Sequence, residues 1–126
     1  MDVPEDLMYT EEHEWIRVLD DARVRIGITD YAQDQLGDVV YVELPAIDKT
    51  FAPGDLMAEI ESTKSVGEVY APVTGAVVAV NDAVTGRPDL INSSPYAEGW
   101  LVEIAIDGGL PSDGFLDASA YRDLTE

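Results

Sequence analysis

Short alternating runs, each closed within a few residues by Gly, Pro or an Asp-rich turn, are what most restrict the fold of this chain. A core-facing helix needs an uninterrupted stretch with a 3.6-residue period, and most of the sequence offers a period of two instead. Val24, Ile26 and Ile28 alternate with Arg25 and Gly27, the pattern of a half-buried strand. Strands are expected over 15–18 and 22–28, flanking the turn Leu19-Asp20-Asp21, then over 39–44, 56–61, 66–71, 76–80 and 100–106. In 39–44, Val40, Val42 and Leu44 should share one face, and Pro45 ends the run. Helical signals are few. Thr29 can N-cap a helix over 30–36 that Gly37 terminates, and Asp117 can cap a last helix over 118–125 with Tyr121 and Leu124 on one face. Residues 81–99 read as a long irregular connection, a length more often functional than idle. The expectation is a mainly β barrel or sandwich, one domain over 1–126.

Within this pattern Lys64 stands out. It is one of two lysines, in the polar turn Ser62-Thr63-Lys64-Ser65 between two expected strands. On the first arm Ala58 and Ile60 should face one way and Met57, Glu59 and Glu61 the other; on the second, Val69 and Ala71 alternate with Glu68 and Tyr70. Burial of the apolar set pins the register, since a slip of one residue would exchange core and solvent faces. A pinned register fixes where the amine projects, as a covalently attached prosthetic group requires. Taken alone, the tetrapeptide would read as an ordinary solvated turn lysine. Lys49 lacks an alternating arm on each side and reads as a plain loop lysine.

Twenty-six acidic residues against seven basic ones give a net charge of −19, dispersed along the chain. Such a surface repels phosphate backbones and excludes nucleic acid as a partner. By itself it favours solubility; dispersed self-repulsion of this size also suggests adaptation to concentrated salt, as in a halophilic prokaryote, because near 1 M ionic strength the screening length falls to about 3 Å. There is no cysteine, hence no disulfide and no thiolate metal site. No apolar stretch approaches the roughly 18 residues of a membrane span. The start Met1-Asp2-Val3-Pro4-Glu5-Asp6 has neither the basic, apolar character of a secretory signal nor the arginines of a transit peptide, so a cytoplasmic location is expected.

Five stretches then occur in one order: His13-Glu14-Trp15; Gly27-Ile28-Thr29-Asp30-Tyr31-Ala32-Gln33 with Leu36-Gly37-Asp38-Val39-Val40; Glu61-Ser62-Thr63-Lys64-Ser65; Tyr70-Ala71-Pro72-Val73-Thr74-Gly75 leading to Val80-Asn81; and Pro88 with Leu90-Ile91-Asn92-Ser93-Ser94-Pro95-Tyr96, then Gly99-Trp100-Leu101. The ordered set resembles the glycine cleavage H-protein family over essentially the full chain. Thr63 departs from the valine more common before the lysine. A biotinyl domain would flank its lysine with methionines. A lipoyl domain of a 2-oxoacid dehydrogenase would be shorter and carry Pro/Ala-rich linkers; it and an H-like carrier that relays lipoate to other proteins are the alternatives. A hydrolase using paired carboxylates lacks an identifiable nucleophile–base pair.

The resemblance implies a lipoyl-domain-like barrel-sandwich hybrid of two small antiparallel sheets, with a short helix near 30–36 and a C-terminal helix. It implies a non-catalytic carrier with lipoate on Lys64, and nothing in the sequence demands more than a monomer. A pyridoxal-phosphate glycine decarboxylase would load the aminomethyl group of glycine. A tetrahydrofolate-dependent aminomethyltransferase would unload it, an FAD-containing dihydrolipoyl dehydrogenase would reoxidise the carrier, and a lipoate ligase or transferase would attach the group. The cofactor and these enzymes supply the chemistry, and the carrier supplies position and protection. A cationic, hydrolysable adduct calls for a drier cleft with a carboxylate. Glu14 and Glu68 are the candidates, although 26 acids must sit somewhere. His13, the only histidine, reads as structural or cleft-lining, and Asn92, with Ser93, Ser94 and Tyr96, shapes the cleft or satisfies its own loop.

Overall fold

The computed structural model describes residues 2–106 and 114–125. Among these residues, nine strands lie in two wholly antiparallel sheets. The larger sheet contains β1 (Met8–Tyr9), β2 (Glu14–Asp20), β3 (Arg23–Ile28), β9 (Val102–Ile106), β8 (Gly75–Val80) and β5 (Thr50–Phe51), in that spatial order. The smaller contains β4 (Val39–Glu43), β6 (Leu56–Ser62) and β7 (Val66–Tyr70), with β6 central. Four helices complete the described chain: α1 (Asp30–Leu36), α2 (Asp82–Gly86), α3 (Leu90–Ser93) and α4 (Ala118–Thr125). The mainly β expectation with its two sheets, and both expected helices, hold. The sheets are unequal, six strands against three, and the short strands β1 and β5 are additions.

The inner faces of the two sheets meet over a core that includes Ile16, Val24, Ile26, Val42, Ile60, Val69, Val77 and Ile104. A second cluster joins Leu7, Tyr9, Trp15, Ala118 and Tyr121, seating α4 against the start of the larger sheet. β3 is therefore covered on both sides at Gly27, where a Cβ would lie 2.6 Å from the Trp15 ring.

Four expectations change. Val39 pairs with Ser62 and Tyr41 with Glu61, so Val40 is an extra bulged residue. The alternation changes phase there: Val39 and Val42 are buried, whereas Val40 is 55% exposed. A second bulge inserts Met57 between Leu56, paired with Tyr70, and Ala58, paired with Val69; Met57 and Ala58 are both buried. The connection over 81–99 is not irregular throughout, because α2 and α3 form within it. On α4 the buried pair is Ala118 and Tyr121, and Leu124 faces solvent.

Candidate functional site

The turn between β6 and β7 is held by the Ser62 hydroxyl. It accepts from the backbone N–H of Ser65 (3.1 Å) and of Lys64 (3.3 Å) and donates to the Ser65 carbonyl (3.0 Å). The Ser62 amide donates to the same carbonyl at 2.8 Å. The tip is also anchored sideways, since the Thr63 N–H donates to the Asp38 carbonyl at 3.1 Å. Lys64 is exposed on a turn tied to both its own arms and the α1–β4 connection. Its stem lies over Gly37, where a Cβ would stand 3.3 Å from Lys64 Cε. Gly37 has φ +82° and ψ −157°, a conformation that only glycine adopts readily. The helix C-cap thereby leaves a flat bed for the lysine.

Beside that bed runs an open groove of about 330 Å³ between α1 and β7. Ile28, Ala32, Leu36, Ile60, Gly67 and Val69 give it apolar walls, and Glu12, His13, Glu14, Tyr31, Gln35 and Glu68 supply the polar groups. Glu14 is only 2% exposed. Its Oε1 accepts from the Thr10 hydroxyl at 2.7 Å, and Oε2 lies 3.4 Å from the Tyr70 amide. Burial pushes this carboxyl from its ordinary 4.5 up to about 7; the Thr10 and Tyr70 bonds pull it down and the Glu12 charge adds to the rise. The other buried acid among the described residues, Glu103, meets Arg25 at 2.7 Å, whereas among these residues no lysine or arginine lines the groove around Glu14. A carboxyl balanced between charge states in a mostly apolar groove ionises fully when a cation enters beside it.

The structure brings His13, Glu14 and Glu68 to this groove. His13 has its Nδ1 2.8 Å from the Tyr121 hydroxyl, which lies 2.7 Å from Thr29 Oγ1. Its ring rests against Tyr31, with centroids 4.8 Å apart. Burial lowers its basicity and the Glu12 charge opposes that, so it is a neutral, braced wall residue. Glu68 is exposed at the rim. Asn92 lies outside this groove. Its Oδ1 accepts from the Val39 N–H (2.9 Å), and its Nδ2 donates to Gln33 Oε1 and the Gly37 carbonyl (both 2.9 Å). It braces the C-terminus of α1, and with it the bed under Lys64. Tyr96 likewise serves its surroundings, accepting from the Asp30 N–H and donating to the Asp2 carbonyl. Sequence reasoning missed Thr10, Gly37 as the lysine's neighbour, and the groove walls Tyr31 and Leu36. The alternating period of two carries no information on which loop meets which strand.

Comparison with known proteins bears on the family and the fold. The glycine cleavage H-protein family profile matches residues 7–126. The chain is 53% identical over 124 residues to the glycine cleavage system H protein of Mycolicibacterium smegmatis, covering 96% of this chain and 95% of that one. It is 51% identical over 123 residues to that of Nocardia farcinica, with 94% and 93% covered. The crystal structure of a glycine cleavage system H protein from Mycobacterium marinum superposes with a TM-score of 0.88 at 38% identity, covering 96% of this chain and 97% of that one. These similarities lend no support to the expectation of a halophilic source. With a family match across almost the whole chain and the same fold in a solved relative, this protein belongs to the glycine cleavage H-protein family, the lipoyl carriers of the glycine cleavage system.

Proposed function

We propose that Lys64 is the residue through which this carrier holds its lipoyl group, by an amide bond, and that the groove between α1 and β7 shelters the loaded arm. One observation carries the reading: an exposed amine on a doubly anchored hairpin tip lies over the glycine cap of α1, next to a groove with a buried carboxyl. When attached, the lipoyl group supplies a disulfide that accepts an aminomethyl group as it is reduced. The chain's own residues hold and protect. Ile28, Ala32, Leu36, Ile60 and Val69 give the arm an apolar surface that limits its contact with water, Glu14 meets the ammonium, and Glu68 guards the rim. Asn92 and Gly37 keep the lysine's base in place.

On this reading the protein is a non-catalytic carrier acting as one domain over 1–126 in the cytoplasm. Its lipoate is attached by a ligase or transferase. The arm serves a pyridoxal-phosphate glycine decarboxylase, a tetrahydrofolate-dependent aminomethyltransferase and an FAD-containing dihydrolipoyl dehydrogenase. Among the described residues no helix is long and apolar enough to cross a membrane. The test is intact mass after co-expression with a lipoate ligase. One lipoyl addition on the native chain and none on Lys64→Ala is expected, and unchanged modification of the variant would overturn the assignment.

A further inference from the structure

We infer that Thr10, which does not line the arm groove, is the positioning residue that fixes the Glu14 carboxylate where it can meet a cation. This deepens the proposed function and rests on it for its biological meaning. The β1–β2 connection folds around one hydroxyl. Thr10 Oγ1 accepts from the backbone N–H of Glu12 and of Glu14, both at 3.2 Å, and lies 2.7 Å from Glu14 Oε1. A threonine hydroxyl has two acceptor sites and one proton. With both acceptor sites taken, its proton goes to Glu14. The loop itself is closed by the Thr10 N–H on the Glu14 carbonyl (3.0 Å) and the His13 N–H on the Thr10 carbonyl (3.1 Å). That closure holds His13 at φ +68° and turns the next side chain inward.

The pattern favours the charged form of Glu14. Oε1 faces an O–H and Oε2 faces the Tyr70 N–H, so a protonated carboxyl would find no acceptor at either oxygen among these partners. Among the described residues, the titratable side chains that line the space beside it or interact with its charge are Glu12 and His13 on the same connection, Tyr31 on α1, Glu68 and Tyr70 on β7, and Tyr121 on α4. None is a lysine or arginine. The hydroxyl therefore takes the part that a cation plays for the buried Glu103.

The test is a carbon-13 NMR titration of the Glu14 side-chain carboxyl in the full, unlipoylated chain. Thr10→Val should move the midpoint upward by roughly one to two pH units, the worth of one hydrogen bond to a charged group. Thr10→Ser, which keeps the hydroxyl, should titrate like the native chain. Thr10→Ala carries the same expectation as the valine variant and replaces it should that variant not fold. An unmoved midpoint in the hydroxyl-less variant overturns the inference, as does a serine variant that shifts equally far. In the aminomethylated carrier, the pH profile of ammonia release should shift upward by the same interval in Thr10→Val. The titration needs no lipoyl group, so loss of the Lys64 assignment would leave its result standing, and a failed titration would leave that assignment untouched.

Discussion

Replacing Glu14 with glutamine isolates the energetic signature of the groove. In the folded chain this carboxyl titrates at about 7, against an ordinary 4.5. Below pH 4.5 it is protonated whether the chain is folded or not, and it contributes nothing to pH dependence. Between 4.5 and 7 the folded state keeps the proton that the unfolded state has released, so unfolding liberates a proton and rising pH favours it. Above 7 both states are ionised and the slope ends. The 2.5-unit difference corresponds to about 3 kcal/mol of stability present in acid and lost by pH 8. Glutamine cannot titrate. His13, whose basicity is lowered by burial, works in the opposite sense, but it is present in both proteins and cancels in the comparison. Urea unfolding at a fixed 0.5 M KCl, followed by circular dichroism from pH 4 to pH 8, gives the difference directly. The stability of Glu14→Gln minus that of the native chain should rise by about 3 kcal/mol across the window, whatever constant offset the amide introduces at Oε2. A difference that stays flat with pH would refute the claim that burial without a cation governs this carboxyl.

Gly27→Ala tests the two-sided packing of β3. Its Cβ would come within 2.6 Å of the Trp15 ring, whose Nε1 donates to the Pro95 carbonyl at 2.9 Å. Thermal melts should show a loss of about 1–3 kcal/mol, and a variant as stable as the native chain would contradict that packing. The dispersed charge of −19 should make stability rise with screening, so the melting temperature should climb by roughly 5 °C between dilute buffer and 1 M KCl. No change would show that the self-repulsion is negligible.

The strands, the 30–36 helix with its Thr29 cap and the hairpin carrying Lys64 were legible because each is encoded locally. Apolar alternation, a side-chain oxygen before a helix and a polar turn all act within a few residues. The two bulges were not legible. Val40 and Met57 are apolar residues in apolar runs, and only pairing with a partner strand shows which residue is extra. Asn92 lay in a stretch whose motif drew attention to it, yet its work is done across 53 residues at Val39 and 55 at Gly37.

Sequence alone therefore determined where an amine is displayed and on what kind of scaffold, since backbone period and turn chemistry are local properties. The depth at which Glu14 lies, the hydroxyl that holds it and the glycine bed under Lys64 were decided only when distant segments packed together. Burial and electrostatics depend on neighbours in space, and in this chain those neighbours come from separate strands, loops and helices.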